Sequence, residues 1–268
     1  MVMRWLVFFV VVSSTARALT AVVAPKETLR SLFVGVRDPV LADPVTKSPF
    51  LERTLRMVGG DPETTFVSPT AVYGTKQNAY LDLVDPKQQP PSFEDLGVSL
   101  RRFLARSPSV RVQTDTFRSP LTAFLYERGW RQNFERNGFP GPDKEFAEAK
   151  EFFGDVGVLV DLSCGTGLMT RRFLKQLPET RIIAADYSEA MLLETRRRID
   201  SRLPDLVRVD AAQLPFQTSS VDAIHAGAAM HCWPRLEDAL AEIHRALTPE
   251  GGKFFATTFL TGALGTSL

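Results

Sequence analysis

The chain has 268 residues, 44% of them apolar, and a formal net charge of +1. That supports one α/β domain with a full core plus an appendage, and the absence of a dominant basic face argues against a large nucleic-acid footprint. The two cysteines, Cys164 and Cys232, form no disulfide framework, and with His225, His231 and His244 they make no zinc-ligand spacing, so no metal is expected.

Residues 1–18 have the layout of a signal peptide. Arg4 precedes an apolar core from Trp5 to Val12, too short to cross a bilayer comfortably, and Ala16-Arg17-Ala18 supplies a small-x-small cleavage site. Residues 19–59 are weakly periodic, carry Pro25, Pro39, Pro44 and Pro49, and start poor in acids. This predicts an irregular, transit-like segment and a plastid destination reached through the secretory route, with secretion or the endomembranes as the alternative. AVYGTKQNAYLDLVDP (71–86) reads as a hairpin turning at Gly-Thr-Lys-Gln-Asn, and a linker follows over 87–116. Helical spacing returns with Leu121, Phe124, Leu125 and Trp130, broken at Gly129 and Gly138, and PDKEFAEAKEFFG opens another helix with Asp143 near its start.

A regular alternation then begins. Strands are predicted at 156–162, 181–186, 206–210, 220–227 and 252–259, and helices at 167–177, 188–202 and 235–247. On the last helix Leu236, Ala239, Leu240, Ile243 and Leu247 make one apolar face. This order predicts a Rossmann-like, doubly wound, mainly parallel sheet with helices on both faces, preceded by a small hairpin-containing segment. The run Arg196-Arg197-Arg198 reads as a solvated helix face.

Ligands on such sheets bind beyond the carboxyl ends of the strands. Strand one delivers Asp161 and then Ser163-Cys164-Gly165-Thr166-Gly167; strand two ends in Asp186, strand three in Asp210, and strand four in Ala226-Gly227, with His231 shortly after. Four successive strands thus bring small or acidic residues to one edge. A dinucleotide fingerprint would need glycine where Ser163 and Leu168 stand, and a phosphate loop would need Gly-Lys-Ser/Thr, which is missing. The loop remains suited to close backbone approach, and its helix N-terminus to a carboxylate. Asp186, 21 positions after Gly165, can accept two ribose hydroxyls.

VDLSCGTG, AADYSEAML, VDAAQLPF and SVDAIHAGAAMHCW, taken in order, resemble the motifs of class I S-adenosylmethionine-dependent methyltransferases over roughly residues 117–259, within a methyltransferase domain expected at 117–268. FRSPLTAFLYERGWRQNFERNGFPGPDKEF and HAGAAMHCWP further resemble plant and algal plastid methyltransferases, which are similar to the ubiquinone/menaquinone C-methyltransferases. The resemblance implies S-adenosylmethionine as cofactor, held by Asp161, Ser163, Gly165, Thr166, Gly167, Asp186, Tyr187, Asp210, Ala211, Ala226 and Gly227. In it the glycines approach the methionine and adenosine, Asp161 sits behind them, Asp186 takes the ribose with Tyr187 near the adenine, Asp210 accepts from the adenine amino group, and Ala226 and Gly227 line the methionine end. NAYLDL matches the end of a zinc-ribbon-like segment in those relatives, but its cysteines are missing here, so 60–86 is expected to be a metal-free ribbon held by packing alone. The sheet is expected to lack the family's last strands, leaving Phe254 to Phe259 as a bare edge.

The function expected is methyl transfer to a small apolar or quinone-like acceptor, with possible association with membranes or plastid lipid bodies. The alternatives are an RNA base methyltransferase, which the near-neutral charge disfavours, and a non-catalytic binding or scaffold protein of plastid lipid bodies. His231 is the candidate base, and Arg128, Trp130, Arg131 and Trp233 are candidates for the acceptor pocket. His225 and His244 read as packed and surface histidines, Asp222 as a support for the sheet's end, and both thiols as reduced packing residues.

Overall fold

The computed structural model describes residues 5–13, 38–50, 52–58, 61–68, 72–76, 79–84, 141–200 and 202–259. In chain order these form β1 (Trp5–Ser13), β2 (Glu52–Val58), β3 (Asp61–Val67), β4 (Val72–Lys76), β5 (Tyr80–Asp82), α1 (Pro142–Phe153), β6 (Val158–Leu162), α2 (Leu168–Gln176), β7 (Arg181–Asp186), α3 (Glu189–Arg197), β8 (Asp205–Arg208), β9 (Ala223–Ala226), a 3-10 turn (Met230–Cys232), α4 (Leu236–Ala246) and β10 (Glu250–Phe259). Arg128, Trp130, Arg131, the linker 87–116 and most of the segment ahead of residue 38 lie outside the described residues.

The strands share one sheet in the order β1-β10-β9-β6-β7-β8-β5-β4-β3-β2. β6 pairs in parallel with both β7 and β9. The chain therefore winds outward from β6 through β7 to β8, then crosses to β9 and β10 on the other side. The reversal beside β6 is the switch point, where a crevice opens beyond the strand ends. β6, β7 and β9 are nearly continuous apolar runs because helices cover both faces of the parallel part. Leu159, Val160, Ile183, Ala184, Ala223 and Ile224 are each 0% exposed.

Local chemistry fixes the helices. α1 opens on Pro142, with Asp143 and Glu145 in its first turn, and stops at Gly154 (φ 61°). Ser188 caps α3 by accepting from the Met191 amide. α4 carries Glu237 and Asp238 at its start and His244 and Arg245 at its end, matching the helix dipole. Its apolar face is narrower than the sequence predicts. Ala239 and Ile243 are buried, whereas Leu236 and Leu240 are 39% and 38% exposed. Asp222 accepts from the Gly157 and Val158 amides and so does tie the start of β6 to the strand beside it.

Three expectations need correction. β10 is not a bare edge, because β1 pairs antiparallel along it from Trp5↔Phe259 to Ser13↔Glu250. The apolar segment read as a leader therefore lies as a strand over the most vulnerable edge. Second, the segment predicted to be irregular up to residue 59 contains β2, which starts an antiparallel meander with β3, β4 and β5. The meander is no separate lobe, since β5 pairs in parallel with β8 and extends the main sheet. Third, packing alone does not hold this metal-free ribbon. Phe50, Phe66 and Tyr73 do pack ring on ring, but fully buried Asp43 also accepts from the Val45 and Thr46 amides and from the Ser68 and Tyr73 hydroxyls. One carboxylate thus collects donors from three segments. Asp38, bonded to Arg181, ties the same N-terminal piece to β7.

Candidate functional site

A cleft of about 110 Å³ opens at the switch point, lined by Leu162, Ser163, Asp186, Tyr187, Val209, Asp210, Ala211, Ala212, Cys232, Trp233, Pro234 and Arg235. Six residues singled out in the sequence meet here: Ser163, Asp186, Tyr187, Asp210, Ala211 and Trp233. The walls come from the ends of β6, β7 and β8 and from the loop after β9.

Asp186 organises the cleft. Its Oδ2 accepts from the Gly165 amide and its Oδ1 from the Ser188 amide, both at 2.8 Å. Burial pushes its carboxyl up to about 6, against the pull of the Ser188 and Gly165 amides. An ionised carboxylate offers about four lone-pair sites, and these amides use two. The Tyr187 amide also bonds this carboxylate, and its remaining acceptor capacity is open to a ligand hydroxyl. Asp210 stands opposite, its Oδ1 on the Ala212 amide and its Oδ2 on Arg235. Trp233 lies over the glycine loop and donates from Nε1 to the Ser163 hydroxyl at 3.0 Å. Ser163 itself adopts φ 58°, a left-handed conformation.

The glycine loop is rigid for reasons visible in its contacts. Thr195 donates to the Gly165 carbonyl at 2.8 Å. Gly167 opens α2 at φ 75°, and a Cβ there would meet Thr195 Cγ2 at 2.6 Å. Gly167→Ala is expected to cost about 3 kcal/mol, from left-handed strain plus a clash with a buried side chain, lowering Tm by roughly 5–10 °C. Gly251→Ala is the control. That glycine has φ 82° but open space around it, so it carries the strain without the clash. Equal losses in thermal melts of the two variants would show that the Thr195 contact is unimportant.

Other candidates sit elsewhere. Asp161 is 2% exposed and does not line the cleft. It lies behind the loop, accepting from the Thr170 hydroxyl and bonded to His225 Nδ1 at 2.9 Å. Thr166 and Ala226 are buried, and neither lines the cleft. Gly227 packs against the same interior group, since a Cβ there would stand 2.6 Å from Glu145 Oε1 and 2.9 Å from His225 Cε1. His231 also lies outside the cleft lining. Its Nδ1 is 3.3 Å from the Thr258 hydroxyl, and burial pulls it down to about 4, so it is neutral at physiological pH. Burial keeps both thiols protonated, pushing Cys232 up to about 11 and Cys164 well above the ordinary range. His225, read from the sequence as a packed strand residue, is 1% exposed but carries two acidic neighbours.

The sequence reading missed Pro234 and Arg235, which directly follow Trp233, and Arg208, a charged residue interrupting the apolar run of β8. That interruption was the available signal.

Residues 159–251 match a family described as a methyltransferase domain. This part of the chain resembles a methyltransferase domain. Two uncharacterized chloroplastic methyltransferases of Arabidopsis thaliana are 51% and 49% identical to it over 158 and 163 residues, covering 56% and 58% of this chain and 45% and 46% of theirs. A ubiquinone/menaquinone biosynthesis C-methyltransferase of Dinoroseobacter shibae is 39% identical over 106 residues, 38% of this chain and 42% of its own. The chain thus spans about half the length of the curated relatives it matches.

Proposed function

We propose that the domain binds S-adenosylmethionine in the Asp186–Asp210 cleft and transfers its methyl group to a small apolar or quinone-like acceptor inside a plastid. One observation carries this reading: a buried carboxylate at the end of β7, anchored by backbone amides, lines the cleft beyond the strand ends together with Asp210. The chloroplastic relatives support the compartment, and the C-methyltransferase relative supports the acceptor class.

When bound, S-adenosylmethionine supplies an already activated methyl on a sulfonium. The chain's own residues then have to bind, orient and keep the site dry. Asp186 receives the ribose hydroxyls and, through the Gly165 amide, fixes the loop beside them. Asp210 with Ala211 and Ala212 borders the base, and Tyr187 packs against it. Trp233, braced on Ser163, covers the loop and excludes water from its apolar side. Gly227 and Ala226 shape the methionine end from behind. Trp233 is assigned to the acceptor pocket, and His231, outside the cleft lining and disfavoured as a cation by burial, is not given the proton-accepting role.

The test is incubation of the full chain with isotopically labelled methyl donor and a panel of quinols, with label transfer and S-adenosylhomocysteine both measured. Label in a quinol is expected. Cofactor binding without transfer to any small molecule would favour the scaffold reading, and transfer to RNA instead would sink the acceptor assignment.

A further inference from the structure

NAYLDL, which runs into β5, has no role in the site described so far. The structure places it beside the site. β5 pairs with β8 so that Asp82 stands opposite Arg208, and on the other side of β8 Arg208 stands opposite Asp186. Arg208 is 4% exposed and Asp82 5%. The guanidinium is held on two sides: Nη1 donates to Asp82 Oδ2 at 3.2 Å and lies 3.6 Å from Glu189 Oε1, and Nε donates to the Tyr187 carbonyl at 3.0 Å. Its Cζ lies over the Tyr187 ring, 5.3 Å from the centroid. Tyr80 donates to Glu189 at 2.7 Å and so ties the same strand to the start of α3.

We propose that Asp82 is a positioning residue for the cofactor: through Arg208 it holds Tyr187, backbone and ring, as the wall against which the cofactor's base packs. The inference rests on the reading of the cleft as a nucleoside site. The physical reason is directional. A buried guanidinium needs a carboxylate partner, and the position of that partner fixes the plane of the fork. With Asp82 in place, one planar group both stacks on the Tyr187 ring and bonds its carbonyl. Without it, Arg208 turns toward Glu189, and the residue next to Asp186 loses its support.

The test is a double-mutant cycle on the full chain, with S-adenosylhomocysteine affinity measured by calorimetry and folding by thermal melts. Asp82→Asn is expected to weaken binding about tenfold, the size of one well-placed aromatic contact. In a Tyr187→Leu background the same change is expected to cost less than about twofold, since the group it acts through is gone. A purely structural Asp82 would give equal losses in both backgrounds, and that result overturns the proposal. Arg208→Lys, which keeps the charge but loses the Nε bond and the flat stack, covers the case in which Asp82→Asn fails to fold; it must show the same non-additivity with Tyr187→Leu, and additive losses overturn the proposal equally. If the unsubstituted chain binds no S-adenosylhomocysteine, the reading of the cleft falls and takes this inference with it. If it binds and Asp82→Asn changes nothing, this inference alone falls.

Discussion

Asp186→Asn is expected to weaken S-adenosylhomocysteine binding by about 100-fold or more. Two contributions add. The carboxylate loses its charge, and hydrogen bonds to charged groups contribute roughly 1.5–3 kcal/mol each, so losing both ribose contacts alone accounts for about 100-fold. The amide also presents an NH2 where one carboxylate oxygen accepted from Gly165 or Ser188, which sets donor against donor at the base of the loop. The pH dependence has a definite sign. Burial raises this carboxyl to about 6, so it is ionised at neutral pH and protonates as pH falls below 6. If the ionised form is what binds, affinity in the unsubstituted chain falls about tenfold per unit below pH 6, and the Asn variant shows no such slope. A titration series between pH 5 and 8 checks this. A flat profile in the unsubstituted chain would mean that Asp186 does not meet the ligand as a carboxylate.

The parallel core was legible in the sequence because each strand is a short apolar run ending in a small or acidic residue. Asp186 and Asp210, at the ends of the second and third of these runs, do face one cleft. Asp161 ends the first run in the same style but faces the interior. Its destination depends on His225 and Glu145, which lie 64 and 16 residues away in sequence. Such a pairing leaves no local periodicity to read. The N-terminal part was least legible for a related reason. An apolar run such as WLVFFVVVS does not show in sequence which strand it pairs with, and that partner, β10, is visible only in the fold. Likewise YLDL reads as the end of a hairpin until β8 is seen beside it. Arg208 was the exception. A charge inside an apolar strand requires a buried partner, and from that alone a search for an acid across the sheet was justified.

His225→Ala is expected to destabilise the fold by about 3–5 kcal/mol, the cost of leaving buried charge unpaired. The ring stacks on Phe255 at 5.8 Å and meets Phe173 edge-on at 5.3 Å, so a packing explanation is available and must be separated from the electrostatic one. Nδ1 bonds Asp161 at 2.9 Å, and Nε2 lies 3.3 Å from Glu145 Oε1, an ion contact without hydrogen-bond alignment. Burial by itself pulls the imidazole down, but the two carboxylates outweigh it and push it up to about 9. A histidine raised from 6.5 to about 9 contributes stability that is fully present below pH 6.5 and is lost as pH rises through 9, about 3 kcal/mol in all. Melting temperature is therefore expected to fall by roughly 6–12 °C between pH 7 and pH 10. His225→Phe separates the two explanations, since it keeps a ring among Phe173 and Phe255 while removing the cation. If charge dominates, this variant is about as unstable as His225→Ala and loses the alkaline slope. If packing dominates, it melts close to the unsubstituted chain at pH 7. Glu145→Gln removes one of the two acids and leaves a neutral Asp161–His225 pair, so its cost is expected to be the smallest of the three. Should Glu145→Gln prove as damaging as His225→Ala, the hold of Glu145 on Thr257, and through it on β10 and the Ala228 amide, would be the dominant interaction instead.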